Sequence, residues 1–368
     1  MSFTLALVGD LMFSHRVRER LKLVEDPAWP LRPVEGLLSA SDLRIGNLET
    51  PVSLERRVVP GARADYFAPP EAVRALATVG FHLVTLGNNH ILDFGEEGAR
   101  RTIEELDMAR VAWCGLVGPA IGDRVAASLR APDRSELAVL SYCGMRNVAV
   151  PGRAFRTIAP EPERVRRDVG TALQAGCTVI VAIHEGGSAV PSPELERTAR
   201  FAVQQGATIV VVHHSHLVSG VERVGDALIA WGLGNFLAAT NNFADERREG
   251  MVLRCTVESG RVVDFQVLPT WVTEEPRVIP APPEVEQRIR TRIADLSSAI
   301  ASGQARTLYE QSLTPEVVSR RLREAIREML RGGGRNILPA LRSLRLRHLR
   351  FVWLGVRAAL RRALGTSR

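Results

Sequence analysis

Short apolar runs alternate with stretches of helical periodicity up to residue 213, and this alternation constrains the fold more than any other feature of the sequence. The apolar runs cover residues 3–8, 82–86, 137–142, 177–183 and 208–213. Between them, the spacing of apolar residues predicts helices over 69–79, 95–109, 161–175 and 193–205. Buried strands that alternate with helices are typical of parallel sheets covered by helices. The sequence therefore predicts an α/β fold.

The pattern changes after residue 213. Antiparallel strands joined by turns are predicted over 217–224, 226–231, 250–257 and 261–268. A proline-rich joint at 276–283 then precedes two predicted helices, 284–302 and 314–331, and the glycines at 332–334 separate these helices from the C-terminal tail. We expect three units, namely a globular domain over 1–275, the joint with its helical extension over 276–334, and a tail over 335–368.

The net charge of +7 comes from this tail. Residues 335–368 hold nine arginines and no acidic residue, so the rest of the chain carries a net charge of −2. The sequence has no aromatic-rich basic strand of the kind that binds nucleic acid, and we expect no nucleic-acid partner. Helical spacing in the tail gives an apolar stripe flanked by arginines. Such a stripe fits an anionic membrane surface, a protein partner or the body of this same chain.

Cysteine spacing and hydropathy exclude further classes. The four cysteines lie far apart without a Cys-x-x-Cys spacing, which argues against a cysteine-based zinc site. No uncharged apolar run approaches the ~18 residues that a membrane span needs. The N-terminus also lacks the basic residues that precede the apolar part of a secretory signal. We therefore expect a cytoplasmic protein that can associate peripherally with the membrane.

Polar side chains follow the C-terminal ends of the apolar runs, and this edge is where open α/β sheets bind ligands. These strand ends carry Asp10, Glu49, Asn89 with His90, His184, and the histidines of 213–216. Carboxylate, amide and imidazole groups suit Zn, Mn or Fe better than a thiolate site would. Because so many strand ends carry such groups together, the sequence predicts a metal site at this edge.

Each of these residues has a structural alternative when it is taken alone. Asp10 fits a helix N-cap, Glu49 a solvated loop carboxylate, and Asn89 a turn held by its side chain. His90 fits a core histidine that donates to a backbone carbonyl. The metal hypothesis therefore depends on the conjunction of these residues rather than on any one of them.

The segment HHSH at 213–216 contains three histidines, which can be metal ligands or structural residues. Alternation along an extended segment would place His214 and His216 on one side and His213 on the other. We therefore expect His213 to be structural and the other two histidines to be ligands.

The motifs around these residues resemble the CapA family of bacterial capsule and poly-γ-glutamate synthesis proteins. The matching segments are GDLM at 9–12, NLETPVS at 47–53, YFAPPEAVRALATVGFHLVTLGNNHILDFG at 66–95, HEGG at 184–187, HHSH at 213–216 and WGLGNFL at 231–237. They follow the family's order and cover roughly residues 3–270. The resemblance implies the fold of calcineurin-like metallophosphoesterases. That fold is an α/β/β/α sandwich of two mixed sheets, and here C-terminal helices follow it.

The resemblance also implies a centre of two divalent ions, for which Mn, Zn and Fe are the candidates. When the superfamily pattern is carried over to this chain, Asp10 and His216 hold one ion. Asn89, His184 and His214 hold the other. Such ions lower the pKa of a bound water to ~7, which would make a nucleophile available at neutral pH.

Some of the remaining site residues match the superfamily pattern, and others differ from it. Glu49 stands between the two ions where the superfamily usually has Asp, and Met12 stands where it usually has His, which predicts a weaker first site. His90 resembles the histidine that contacts the substrate phosphate and protonates the leaving oxygen. Asp93 either orients His90 or caps the helix that begins near Gly95.

We expect further substrate contacts from Asn88, Glu185 and Asn235. Glu185 stands where the family commonly has Trp, so contacts at this position would differ from those of other members. Asn235 either lines the site from the second sheet or adopts a left-handed turn conformation, which asparagine tolerates.

Together these expectations describe a metal-dependent hydrolase of phosphoester type. Its role would lie in capsule, poly-γ-glutamate or related peptide biosynthesis, with a small-molecule or peptide substrate that carries phosphate or carboxylate. The alternative is a non-catalytic accessory or scaffold subunit that docks through its basic tail. The nearly complete ligand set favours the enzyme.

Overall fold

A computed structural model describes residues 2–54, 58–59, 62, 65–145, 155–238 and 244–312. Its elements up to residue 143 are β1 (Ser2–Leu11), α1 (His15–Leu21), α2 (Glu35–Ser39), β2 (Leu43–Leu48), α3 (Glu71–Thr78), β3 (Leu83–Thr85), α4 (Gly95–Met108), β4 (Ala112–Cys114), β5 (Leu116–Gly118), β6 (Gly122–Arg124), β7 (Ala126–Arg130) and β8 (Glu136–Cys143). The later elements are α5 (Pro162–Gln174), β9 (Thr178–His184), α6 (Pro193–Gln204), β10 (Ile209–His213), β11 (Val221–Val224), β12 (Ala227–Ala230), β13 (Asn235–Leu237), β14 (Glu249–Glu258), β15 (Arg261–Val272), β16 (Val278–Pro280), α7 (Pro283–Ala301) and α8 (Ala305–Ser312). Short 3₁₀ helices cover Arg32–Val34 and Asp245–Arg247.

Two mixed β-sheets form the centre of the described part of the chain. The first has the strand order β16-β15-β14-β1-β2-β3-β4, with β13 paired to the end of β1, and the second has the order β11-β12-β10-β9-β8-β7. Strands β1 to β4 are mutually parallel, as are β8, β9, β10 and β12. Antiparallel strands β7, β11, β14, β15 and β16 complete the sheets. Both sheets are therefore mixed, as expected.

Apolar packing arranges these sheets as an α/β/β/α sandwich. The inner faces meet in one cluster, in which Leu7 of β1 packs with Val139 of β8 and Ile180 of β9. Helices α1 to α4 cover the outer face of the first sheet, and α5, α6 and α8 cover that of the second. Removal of apolar surface from water, worth roughly 25 cal/mol per Å², is the main force that holds such layers together. The expected metallophosphoesterase-like sandwich is confirmed.

Most predicted helices are present within a few residues of the predicted bounds. Helices α3 to α7 correspond to the predictions at 69–79, 95–109, 161–175, 193–205 and 284–302. The helix predicted over 193–205 begins at Pro193, and the side chain of Ser192 before it accepts a hydrogen bond from the Leu195 amide. The sequence did not predict the short elements α1, α2, β4 to β7, β13, β16 and α8, since three to eight residues give too little periodicity to recognise.

The segment 276–312 packs against the sandwich instead of extending away from it. The proline-rich stretch contains β16, which forms the edge of the first sheet beside β15. Helix α7 crosses β11 and β15 and buries Val285, Ile289 and Ile293 against the inter-sheet core. The expected boundary at residue 275 therefore does not coincide with a break in packing.

The remaining expectations about the C-terminal part lie outside the described residues. They concern the predicted helix 314–331, the glycines at 332–334 and the arginine-rich tail 335–368. Among the described helices, none combines the length and the apolar character that crossing a membrane requires.

Candidate metal centre

The C-terminal ends of parallel strands from both sheets meet at one edge of the sandwich, and Asp10 lies there at the end of β1. Its carboxylate is buried. Oδ1 accepts a hydrogen bond from Asn47 Nδ2 at 2.8 Å, and Oδ2 lies 3.0 Å from His216 Nδ1 and 3.3 Å from the His214 amide nitrogen, which donates to it. Burial opposes ionisation, but His213 and His216 outweigh it and hold the pKa of Asp10 well below its usual value. Asp10 is thus a buried anion and not a helix cap.

Glu49 follows β2 and is the most deeply enclosed acid of the site, with no exposed surface. Neither of its carboxylate oxygens has a hydrogen-bond partner among the described residues. Imidazole nitrogens surround it instead. Oε1 lies 3.6 Å from His184 Nε2 and 3.9 Å from His90 Nε2, and Oε2 lies 3.7 Å from His216 Nδ1. Burial raises the pKa of Glu49 to about 7. Glu49 is therefore not the solvated loop carboxylate that its sequence position also allowed.

His184, at the end of β9, connects the second sheet to this centre. Its Nε2 atom lies 2.7 Å from Asn89 Oδ1 and 3.1 Å from His214 Nδ1. Burial, followed by the neighbouring His214, lowers the pKa of His184 well below its usual value. A histidine must be neutral to offer a lone pair to a metal, so this environment keeps His184 in its ligating form.

His214 and His216 reach the site through an unusual backbone. Strand β10 ends at His213, and the next residues turn, with φ of +89° at His214 and +58° at His216. Left-handed backbone at non-glycine residues costs of order 1–3 kcal/mol and is concentrated at functional sites. The expected strand alternation is therefore wrong. His213 also faces Asp10, with Nδ1 3.1 Å from Oδ1, and the turn brings the other two histidines to the same edge.

The ligand-type atoms form two groups that could each hold a metal ion. One group is Asp10, Glu49 and His216, and the other is Glu49, His184 and His214. Within each group the candidate ligand atoms lie within 4.8 Å of one another, and Glu49 belongs to both. Buried oxygen and imidazole donors with an unpartnered carboxylate in their midst fit a divalent transition metal.

His90 and Asp93 form a pair beside this centre. His90 Nδ1 lies 2.7 Å from Asp93 Oδ2, and the Asp93 side chain is almost completely buried. Helix α4 has Phe94 as its N-cap and no side-chain capping bond, so Asp93 orients His90 and does not cap the helix. The ring of Tyr66 packs on the other side of His90, with the ring centroids 4.2 Å apart. His90 Nε2 is thereby directed towards Glu49.

Of the expected substrate contacts, Asn88 is fully buried, whereas Glu185 is half-buried and its contact with substrate stays a prediction. Asn88 is fully buried; its Oδ1 accepts from the amides of His90 and Ile91, and its Nδ2 donates to the Leu48 carbonyl. Asn88 therefore shapes the turn that carries His90. Glu185 is half-buried at the rim, where its carboxylate packs against Gly144.

Asn235 belongs to the first sheet and not to the second, contrary to the expectation. It begins β13, where it pairs in register with Asp10. The left-handed residue of this segment is Gly234, with φ of +71°, whose carbonyl accepts a hydrogen bond from the Asp10 amide. The Asn235 side chain is buried, and its Nδ2 donates to the Arg247 carbonyl at 2.7 Å. It therefore holds a neighbouring backbone segment in place.

Asn47, the first residue of the segment NLETPVS, is a member of the site for which the sequence predicted no role. Asn47 Nδ2 lies 2.8 Å from Asp10 Oδ1 and 3.2 Å from His184 Nδ1, so one amide links the two sheets. Thr85 in turn donates to Asn47 Oδ1 at 3.1 Å. The position of Asn47 on β2, two residues before Glu49, was the only signal available.

The fold and the site together define a metallophosphoesterase-like protein with a candidate metal centre at the edge of its two sheets. More specifically, the chain belongs to the family of bacterial capsule synthesis proteins designated PGA_cap, which matches residues 4–240.

Several curated proteins are similar to this chain. The capsule biosynthesis protein CapA of Bacillus anthracis is 28% identical over 249 residues, which are 64% of this chain and 59% of that protein. The PGA biosynthesis protein CapA of Bacillus subtilis (strain 168) is 26% identical over 240 residues, 63% of this chain and 62% of that protein. A probable polyglutamine synthesis accessory protein of Mycobacterium tuberculosis is 25% identical over 287 residues, 72% of this chain and 76% of that protein. The similarity thus spans about three fifths of the two CapA proteins.

Proposed function

We propose that this protein is a hydrolase of phosphoester type that depends on two divalent metal ions and acts in capsule, poly-γ-glutamate or related peptide biosynthesis. The observation that supports this most is Glu49, a fully buried carboxylate with no hydrogen-bond partner among the described residues. Burial of an unpaired charge costs several kcal/mol, so a fold retains one only where something compensates. A cation shared by the two ligand groups would supply that compensation.

The two groups divide the ligands between the ions. Asp10 and His216 would hold one ion, and His184 and His214 would hold the other, together with Asn89, whose Oδ1 is next to His184. Glu49 would serve both. When bound, ions such as Mn, Zn or Fe supply a Lewis acid for a phosphoryl oxygen and a water of lowered pKa.

His90 is the proposed proton donor to the leaving group. Asp93 Oδ2 accepts the Nδ1 proton, and the packing of Tyr66 fixes the ring plane, so the free Nε2 points at the centre in one orientation. A positioned histidine of this kind typically increases the reaction rate ~10²–10⁴-fold. Asp93 acts through His90 and is a positioning residue.

The proposed biological role is based on the names of the similar proteins. Two of them are named for capsule or PGA biosynthesis, and we propose a related task with a substrate that carries phosphate or carboxylate. The name of the mycobacterial relative includes the words accessory protein, which supports a second candidate, a scaffold subunit without catalysis. In either case, the basic tail at 335–368 would dock to a membrane surface or a protein partner.

Metal analysis combined with hydrolysis of a probe separates these candidates. Full-length protein is loaded with Mn or Zn, its metal content is measured, and hydrolysis of p-nitrophenyl phosphate and bis-p-nitrophenyl phosphate is followed. We expect the wild type to hold metal and to hydrolyse a probe, and the double variant His214→Ala/His216→Ala to lose both properties.

The matched control is His82→Ala, since His82 lies just before β3, at the end of that strand away from the centre, and should change neither measurement. Equal and negligible metal in wild type and double variant would refute the centre. Metal without hydrolysis of either probe would favour the scaffold.

A further inference from the structure

A buried carboxylate joins helix α7 to the first sheet near the candidate centre. Glu249 begins β14 and has no exposed surface. Its Oε1 lies 2.7 Å from Nε of Arg288, and its Oε2 pairs with Arg292, both on the partly exposed side of α7. A buried carboxylate is retained only when it is paired, so the two arginines hold α7 against β14. We refer to these three residues as the α7 latch.

The backbone at Glu249 lies directly against the segment that pairs with Asp10. Gly234 and Gly250 form an antiparallel bridge, and a Cβ atom at position 234 would collide with the Glu249 carbonyl oxygen. On its other side, the Gly234 carbonyl accepts a hydrogen bond from the Asp10 amide at 3.1 Å. A single backbone segment therefore separates the latch from a candidate metal ligand.

The C-terminal half of α7 contacts the segment that follows His216. The Ser297 hydroxyl accepts a hydrogen bond from the Val221 amide at 2.9 Å. A Cβ atom at Gly220 would lie 2.7 Å from the Ser297 nitrogen, so the helix and the segment touch through their backbones. Helix α7 therefore limits where this segment, and the histidine turn before it, can lie.

The two segments that α7 contacts also pair with each other. Val218, two residues after His216, forms an antiparallel bridge with Leu233. Leu233 belongs to the segment that holds the Asp10 amide. Contacts therefore run from both halves of α7 to Asp10 and His216, which together with Glu49 form the first ligand group.

The second ligand group is held by the strands themselves. His184 ends β9, which lies between β8 and β10 in the second sheet. Its Nδ1 lies 3.2 Å from Asn47 Nδ2, and its Nε2 lies 2.7 Å from Asn89 Oδ1. His214 directly follows β10. The contacts of α7 thus favour an effect on the first group.

We infer that α7 controls metal affinity at the candidate centre, because the closed latch holds Asp10 and His216 in the positions from which they bind an ion. Glu249 is the positioning residue of this device. The inference rests on the proposed function, since it concerns regulation of the same site. Helix α7 lies outside residues 4–240, the part of the chain that matches the family, so this control belongs to the segment that follows the shared part.

Coupling between two sites is reciprocal, and this gives a test on the wild-type protein. If docking of α7 raises metal affinity, bound metal must stabilise the docking of α7 by the same factor. Neither candidate ligand group contains a residue of α7, so a helix with a purely structural role would gain only the general stabilisation of the fold.

Hydrogen exchange of full-length protein, read by mass spectrometry with EDTA or with excess Mn, measures this response. We expect Mn to slow exchange in α7 more than in α5, a helix on the outer face of the second sheet. Equal slowing in the two helices would overturn the inference.

Glu249→Gln opens the latch, because glutamine keeps the shape of the side chain and removes the charge that the arginines bind. We expect Mn affinity of the folded protein, measured by competition with a chelating dye, to fall about tenfold, within the roughly 2- to 30-fold range of such couplings. The additional slowing of exchange in α7 by Mn should also disappear.

Glu286→Gln is the matched control. Glu286 pairs with Arg290 within α7, and both side chains are partly exposed. The control makes the same chemical change on the same helix without affecting the latch, so Mn affinity should stay at the wild-type value. Ser297→Ala removes the contact to Val221 and should lower Mn affinity, though less than Glu249→Gln does.

Unchanged Mn affinity in folded Glu249→Gln would overturn the inference and leave the proposed function intact. Metal content and probe hydrolysis of the wild type report on that function separately. If Glu249→Gln does not fold, the exchange comparison between α7 and α5 in the wild type decides the question.

Discussion

The Glu49→Gln variant tests the centre most sharply, because the carboxylate destabilises the metal-free fold and stabilises the metal-bound one. In the metal-free protein, burial raises the pKa of Glu49 from 4.5 to about 7. One pKa unit corresponds to about 1.4 kcal/mol, so an ionised Glu49 costs the metal-free fold about 3 kcal/mol at pH 8. Glutamine has the same shape without the charge and removes that cost. We therefore expect the variant to be the more stable protein at pH 8 when no metal is present.

The contribution of Glu49 to the stability of the metal-free protein should decrease as the pH rises. The unfolded chain releases the Glu49 proton near pH 4.5 and the folded chain near pH 7. Since the folded state holds the proton longer, the stability contributed by Glu49 is present below pH 4.5 and falls as the pH rises towards 7. The difference in unfolding free energy between variant and wild type should therefore grow by about 3 kcal/mol between pH 4.5 and pH 8.

Bound metal should reverse the order of stability, so that the wild type becomes more stable than Glu49→Gln. A ligand that binds only the folded state stabilises it by about 2.7 kcal/mol at one hundred times its dissociation constant. The wild type should gain this amount, and the variant should gain much less because it lacks the carboxylate common to both ligand groups. Urea unfolding at pH 8, with EDTA or with excess Mn, measures both effects.

The control for this experiment is Glu105→Gln. Glu105 is a buried acid of α4 that pairs with Arg101 on the same helix, away from the centre. Its metal-dependent gain should equal that of the wild type. If Glu49→Gln were less stable than the wild type in EDTA and gained as much from Mn, Glu49 would be a structural acid and the reasoning would fail.

Other variants probe the neighbouring groups. His90→Ala should lower turnover ~10²–10⁴-fold while metal content stays constant, and loss of the metals from this variant would contradict its role as proton donor. Asp93→Asn should lower turnover less than His90→Ala does, again with metal retained, because it disturbs only the orientation of the ring. Glu249→Ala should reduce the unfolding free energy in urea by less than the ~3–5 kcal/mol of a fully buried pair, since Arg288 and Arg292 are partly exposed. Removal of 335–368 should abolish sedimentation with anionic vesicles at low salt, and equal binding by full-length and truncated protein would exclude a membrane role for the tail.

The grouping of the candidate ligands was predictable because it depends on where the strands end and not on side-chain detail. Parallel strands end at a common edge, so Asp10, Glu49 and His184 could be grouped from the strands that precede them. The same argument applies to the helices, whose periodicity extends over several turns. The sandwich therefore followed from patterns that are local in sequence.

The errors concern residues whose positions depend on distant contacts. The geometry of His214 and His216 comes from left-handed backbone, which no alternation pattern reveals. Asn235 begins a three-residue strand whose partner, Asp10, lies far away in sequence, so its sheet could not be assigned. Asp93 could have been a cap or a histidine partner, and only the position of His90 decides between them.

The division of the centre between two sheets has a consequence for how the protein assembles. Asp10 and Glu49 come from the first sheet, and His184 and His214 come from the second. Neither sheet alone supplies a complete candidate ligand group, so metal affinity would appear only once the sheets have docked. Bound metal would then act as a late-forming cross-link between residues about two hundred positions apart, and the rate of metal uptake during refolding would report the docking step itself.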